Sequence, residues 1–327
     1  MSDYMLEVKN LSVQYKTDLT TVYAVDDISF TLERGKTIGL VGETGAGKTT
    51  IAKTLMQILP SRTARITSGE VYINGENLLE KSKTELEKMR GKEMSMIFQD
   101  PMSALNPVET IGDQIYEALH YHNDEHKSKD ELDKRVEEML AMVGILPKRK
   151  HDYPHQFSGG MKQRALIAIA LACRPNLLIA DEPTTALDVT IQAQVLQLMK
   201  ALRDEQGTSM IMITHDLGVV ALMCDYVAVV YAGQIVEYGT LEDIYSGDKH
   251  HPYTIGLFGA IPDLTSKADR LQPVVGLMPD PTVIYEGCKF APRCKFATEK
   301  CRTQRPGYYE ANGHKILCHR YTEGGCE

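Results

Sequence analysis

The sequence has no apolar run long enough to cross a bilayer. The longest, Ala165 to Cys173, falls well short of the ~20 residues that a spanning helix needs. The basic and apolar blocks of a signal peptide are also missing from Met1-Ser2-Asp3-Tyr4. A cytosolic protein is expected, docked onto an embedded partner if it works at a membrane. Excess positive charge is absent too. A net charge of −8 argues against nucleic acid as the main partner, because a phosphate backbone demands a basic face. None of the seven cysteines has another within the C-x₂₋₄-C spacing common in structural zinc sites. A reducing compartment makes disulfides unexpected. At 327 residues and 43% hydrophobic, the chain suits one large domain with an appendage, or two domains, around a real core.

What is present starts with Gly42-Glu43-Thr44-Gly45-Ala46-Gly47-Lys48-Thr49, which fits G-x-x-x-x-G-K-[ST] without a gap. A phosphate chain is best held by several inward-pointing N–H groups, and glycines let the backbone curl that tightly. Lys48 places a cation by the β- and γ-phosphates, and the Thr49 hydroxyl can ligate Mg. Thr37 to Val41 reads as a buried strand before the loop. Thr50 to Leu59 reads as a helix after it, with its N-terminal dipole toward the anion.

Other segments frame this loop. Leu11, Val13 and Tyr15 alternate with polar residues, as do Ile28, Phe30 and Leu32 before an Arg34-Gly35 turn. Tyr15 is either a flat face for a purine ring or an ordinary half-buried strand tyrosine. Asn74-Gly75 signals a turn. Met94 to Phe98 reads as a strand ending at Gln99, which can reach a metal or water or serve simply as a loop residue. From Met102 to about Ala172 the pattern is helical, with Leu132, Val136, Met139, Leu140 and Val143 on one face. Asn123 to Asp130 reads as a solvated connection. Ser158 is a good N-cap for the next helix, and Gly159 and Gly160 leave its first N–H groups uncovered. This is a plain capped helix start or a second anion site without a lysine.

Leu177 to Ala180 reads as a strand buried on both faces. It delivers Asp181 and Glu182 at its C-terminal end, where ligands bind in open α/β sheets. Strand alternation predicts that the two acids point opposite ways. Asp181 fits a Mg contact through water, and Glu182 a base for the attacking water. Asp188 caps a helix from Val189 to about Arg203, with Gly207 its expected C-cap. Met210 to Thr214 is a further strand with His215 at its end. Tyr226 to Tyr231 and Gln234 to Tyr238 flank an Ala232-Gly233 turn.

Five cysteines crowd the last forty residues. Cys288, Cys294, Cys301 and Cys318 have five, six and sixteen residues between them. Four thiolates can hold zinc or an iron–sulfur cluster, and the wide spacing favours the larger cluster, with structural zinc as the alternative. Lys289, Lys295 and Arg302 each follow a cysteine and would favour an anionic cluster. Cys326 lies outside the spacing.

These pieces, in this order, resemble the ATP-binding subunit of an ABC transporter. The phosphate loop, Gln99, the Ser158-Gly159-Gly160-Met161-Lys162-Gln163 signature, the Asp181-Glu182 pair, Ala186-Leu187-Asp188 and His215 each match a family motif, across residues 5–246. Gln99 to Pro107, His251-Pro252-Tyr253-Thr254 and the cysteine tail are similar to the dipeptide/oligopeptide/nickel import subfamily. The resemblance implies an α/β fold: a P-loop NTPase core with an N-terminal antiparallel β region. A helical subdomain at about 102–172 interrupts it, a cysteine-rich extension at 247–327 follows it, and residues 1–246 form the ATPase domain.

It also implies a head-to-tail ATPase dimer. ATP would sit on Gly42 to Thr50 of one subunit, with Tyr15 stacking on adenine and Ser158, Gly159 and Gly160 of the other subunit as the lid. Lys48, Thr49, Gln99 and Asp181 would hold phosphate and Mg. Glu182 would activate water, and His215 would contact the γ-phosphate. Met102 to Pro107 would lie near a permease docking groove. The implied partners are a second related ATPase or another copy, two membrane permeases and an extracytoplasmic solute-binding protein. The implied location is the cytoplasmic face of the cell membrane. Tails similar to this one carry a [4Fe-4S] cluster in the subfamily. Cargo stays open among dipeptides, longer peptides, nickel chelates and oligosaccharides. A soluble ABC ATPase of translation or repair is disfavoured by the single cassette, and a zinc-finger nucleic-acid module by the acidic charge.

Overall fold

The computed structural model describes residues 4–185, 187–260 and 274–322; Ala186 and Cys326 lie outside them. Along the chain, β1 (Tyr4–Lys16), β2 (Thr21–Glu33) and β3 (Thr37–Val41) lead to α1 (Lys48–Leu55). Then come β4 (Ala64–Ile73), β5 (Glu76–Asn77), α2 (Lys83–Met89) and β6 (Met94–Ile97). A helical stretch follows: α3 (Pro101–Ala104), α4 (Ile111–Tyr121), α5 (Lys129–Met142) and α6 (Gly159–Leu171). Strands and helices then alternate through β7 (Leu177–Asp181), α7 (Val189–Gln206), β8 (Ser209–Thr214), α8 (Leu217–Met223) and β9 (Tyr226–Tyr231). The remainder is β10 (Gln234–Thr240), α9 (Leu241–Ser246), α10 (Pro252–Phe258), α11 (Glu299–Thr303), β11 (Tyr308–Ala311) and β12 (His314–Leu317).

The described residues fall into two compact units. One holds residues 4–5, 32–37, 73–185 and 187–213; the other holds 6–31, 38–72, 214–260 and 274–322. In the first unit, β6, β7 and β8 run parallel, with Ile179 opposite both Met96 and Ile211. All five residues of β7 are buried, which explains its unbroken apolar run. Leu132, Val136, Met139 and Leu140 of α5 are buried, as is Val143 just beyond it. A capping box between Ser128 and Glu131 starts α5 at Lys129, so the polar connection predicted over 123–130 gives up its last residues to the helix.

In the second unit, β3 pairs parallel with β9, and β9 pairs antiparallel with β10. The hairpin turns on Ala232 and Gly233, both at positive φ (46° and 81°), the backbone of a tight I′ connection. The C-terminal residues do not stand apart from this sheet. β12 pairs antiparallel with β10, Glu237 opposite Ile316, and β11 pairs with β12. β2, β1 and β4 lie side by side in a second sheet, with Leu11, Val13, Ile28 and Phe30 all buried.

Helix α1 begins two residues before the predicted Thr50 and ends at Leu55 rather than Leu59. It starts early because the chain turns helical directly after Gly47. It stops early because Gln57 adopts φ 51° ahead of Pro60. Helix α7 runs on to Gln206 before Gly207, at φ 68°, closes it.

Candidate functional site

The phosphate loop joins β3 to α1 in the second unit. Two of its glycines are demanded by close approach. A Cβ on Gly42 would run into the Val230 carbonyl, and one on Gly47 (φ 106°) would meet the Ala24 oxygen at 2.5 Å. Hydrogen bonds tie the curl down: Ala46 N donates to Glu43 O (3.1 Å), and Gly233 N donates to Ala46 O (2.8 Å). The Lys48 ammonium donates to the carbonyls of Gly42 (2.7 Å) and Glu43 (3.0 Å), so a cation is held against the loop backbone. Thr49 and Thr50 occupy the first turn of α1. Tyr15, half-buried on β1, lies with its hydroxyl 3.3 Å from Thr50 Oγ1. His215 is exposed between β8 and α8, whose first N–H groups are capped by Asp216 (2.8 Å to Gly218 N).

The other candidate residues belong to the first unit. Asp181 ends β7 and is 2% exposed. Glu182 follows in the left-handed region at φ 48°. The two acids are therefore separated by a turned backbone and not by strand alternation, since only Asp181 belongs to the strand. The Glu182 carboxylate accepts from Gln99 Nε2 (3.0 Å) and from Thr185 Oγ1 (2.9 Å), and its N–H donates to Ile213 O (2.9 Å). A left-handed non-glycine at the end of a strand stores strain that the surroundings must hold, a common mark of functional positions.

Ser158 caps α6, its Oγ accepting from Met161 N at 3.4 Å. Ser158 and Gly159 are exposed, and a Cβ on Gly159 would meet nothing within 4 Å. Gly160 differs. A Cβ there would sit 2.6 Å from Ile191 Cγ2, so this glycine is set by the packing of α6 on α7.

Cys288, Cys294, Cys301 and Cys318 line one small cavity with Phe290 and Phe296. Cys288 N donates to Cys301 O (2.8 Å), and Phe296 N to Cys294 Sγ (3.4 Å). Burial pushes the Cys288 thiol up to about 12, with the other three cysteines adding to the effect. Burial also raises Cys294 and Cys318, and the nearby Arg320 charge opposes it at both. None of the four is in a disulfide. Among the described residues, no group of three or more His, Cys, Asp or Glu could hold a metal ion. Lys289, expected beside a cluster, is engaged elsewhere: its Nζ lies 2.9 Å from both Ala232 O and Asp26 Oδ2.

The pattern of the ABC transporter family matches residues 25–185, and that of the oligopeptide/dipeptide transporter C-terminal region matches residues 236–301. The chain is 45% identical to the oligopeptide transport ATP-binding protein AppD of Bacillus subtilis, over 99% of this chain and 98% of that protein. The chain belongs to the ABC transporter family, among the oligopeptide and dipeptide transport ATP-binding proteins. The dipeptide transport ATP-binding protein DppD of Lactococcus lactis is 49% identical over 94% of this chain and 88% of its own length. Among solved structures, a dimeric post-hydrolysis state of the ATP-binding cassette MJ0796 bound to ADP and Pi superposes with a TM-score of 0.66. It is 29% identical and covers 72% of this chain and 99% of its own.

Sequence reasoning missed several residues of this ABC cassette. The Glu43 carboxylate receives two hydrogen bonds from Arg293 (3.0 and 3.1 Å), and the Glu43 N–H donates to Tyr253 Oη (2.9 Å). Glu237, fully buried, accepts from His250 (2.9 Å), His314 (3.0 Å) and the His251 N–H (2.8 Å). His-Pro-Tyr-Thr was the available signal for Tyr253. Nothing local marked Arg293 or Glu237.

Proposed function

We propose that this ABC ATPase powers the import of dipeptides or oligopeptides. The observation that carries the reading is the loop Gly42 to Thr50, closed by glycine-only approaches to Val230 and Ala24 and holding the Lys48 ammonium. The names of the relatives point its use to peptides. In this reading Lys48 and Thr49 bind phosphate and Mg, and Gln99 and Asp181 serve the Mg. Glu182 activates water, His215 contacts the γ-phosphate, and Tyr15 stacks on adenine. ATP on one subunit is covered by Ser158, Gly159 and Gly160 of a second. The open N-terminus of the 13-residue α6, with space around Gly159, supports that lid. A single loop cannot surround a terminal phosphate, so nucleotide joins two subunits and hydrolysis releases them.

The partners in this reading are a related ATPase or a second copy, two permeases and an extracytoplasmic solute-binding protein. The place of work is the cytoplasmic face of the membrane. Among the described residues no helix is long and apolar enough to cross a membrane, in keeping with peripheral docking. The chain divides into an ATPase domain, 1–246, and an extension, 247–327. The test is co-purification from membranes with a permease, together with Mg-dependent ATP hydrolysis that Lys48→Ala removes. Recovery on ribosomes or DNA instead would defeat the reading.

The four cysteines serve, in the same reading, as ligands of a [4Fe-4S] cluster, which would knit the extension together. Support comes from four thiols lining one cavity, each raised thiol made easier to ionise by a cationic metal core. Anaerobically purified protein is then brown, with iron and acid-labile sulfide. Colourless protein loaded with zinc would replace the cluster with a structural zinc site.

A further inference from the structure

The phosphate loop carries an acid at its second position. A carboxylate in a loop built to receive a polyphosphate opposes its ligand through like-charge repulsion. In this chain that acid does not stand alone. Arg293 donates Nη1 to Glu43 Oε2 at 3.0 Å and Nη2 to Glu43 Oε1 at 3.1 Å, the fork-on-fork arrangement that gives a guanidinium its strongest carboxylate contacts. The Arg293 side chain is 5% exposed and Glu43 is 31% exposed, so the pair is screened less than a surface pair.

The guanidinium is itself held in place. Its Nη2 also donates to Val274 O (3.2 Å) and its Nε to Val275 O (3.1 Å), and it stacks over the Tyr231 ring at 5.7 Å. Tyr253, fully buried, packs at 4.6 Å on the same Tyr231 ring and takes the Glu43 N–H on its hydroxyl. The Gly45 end of the loop is approached by the same C-terminal segment, a Cβ there lying 3.2 Å from Met278 Cε. His251 fixes Tyr253: its Nδ1 accepts from the Tyr253 N–H at 3.1 Å, and burial lowers its pKa to about 4, leaving the ring neutral as an acceptor must be. The His-Pro-Tyr-Thr motif and Arg293 thus converge on one residue of the phosphate loop.

We infer that Arg293 is a positioning residue for nucleotide binding: it masks the Glu43 carboxylate from the phosphates and, with Tyr253, holds the loop in its receiving shape. The inference rests on the proposed use of this loop for ATP. Arg293 directly precedes Cys294, so the extension is tied to the nucleotide site through adjacent residues.

The test measures ATP affinity of the full-length chain by displacement of a fluorescent ATP analogue, alongside thermal unfolding without nucleotide. Arg293→Ala is expected to weaken ATP binding about tenfold, the effect of uncovering one carboxylate in a partly solvated site. Glu43→Gln in that background is expected to restore affinity to within about threefold of the natural chain, because the neutral amide no longer repels phosphate. A purely structural arginine would not be rescued in this way. Arg293→Gln, which keeps more of the side-chain volume, repeats the comparison if the alanine variant unfolds. Affinity unchanged in the Arg293 variants, or weakened without rescue by Glu43→Gln, overturns the inference while the ATPase reading stands. If the natural chain binds no ATP and matches Lys48→Ala, the ATPase reading falls first and takes the inference with it.

Discussion

Gln99 Nε2 donates to Glu182 Oε2 over 3.0 Å, joining the residues that follow β6 and β7. With Thr185 Oγ1 on the same oxygen at 2.9 Å, the carboxylate is oriented by two donors. Glu182→Gln preserves the shape and, in the proposed mechanism, removes the base. Its turnover should fall by about 10²-fold or more while ATP binding persists, giving a dimer on size exclusion with ATP. Turnover equal to that of the natural chain would remove Glu182 from the base role.

Gly160→Ala places a methyl 2.6 Å from Ile191 Cγ2. Overpacking of this kind costs about 1–3 kcal/mol, read as a lowered unfolding temperature. Ile191→Ala in the same chain should return much of the loss by opening space. Gly159→Ala, with nothing within 4 Å, should leave unfolding unchanged, separating the packing glycine from the exposed one.

The buried Glu237 ties β10 to His250 and to His314 of β12. Burial raises its carboxyl, but hydrogen bonds from His250, His314 and the His251 N–H outweigh that and bring it to about 2. A depressed carboxyl contributes stability above its unfolded value, 4.5, and loses it as pH falls toward 2. His250 is raised above 6.5, chiefly by its hydrogen bond to Glu237, with burial opposing. Its contribution is full below 6.5 and is lost as pH rises through the raised value. The contribution of the Glu237–His250 pair should therefore be greatest between about pH 4.5 and 6.5. His250→Gln should flatten the alkaline side of the unfolding-temperature profile and leave the acid side in place. An unaltered alkaline slope would assign that side to other groups.

Much of this architecture was legible because short-range rules govern it. The phosphate loop, the caps at Ser158 and Asp188, the Asn74-Gly75 turn and the apolar run of β7 each depend on a few neighbouring residues. Backbone sterics and hydrogen bonding leave such stretches few alternatives. The end of α1 was misread because Gln57 turns left-handed, which no helix propensity announces. The expectation that Asp181 and Glu182 diverge by alternation failed for a similar reason: the strand stops between them.

The chain alone determined where phosphate chemistry can occur, since the glycine spacing and Lys48 lie within one continuous loop. Only the folded molecule decided that Arg293 faces Glu43 across 250 residues, that Lys289 meets Asp26, and that β12 pairs with β10. Contacts between distant segments depend on which buried surfaces pack together, and that choice is made by the whole core at once and is not encoded in any local spacing.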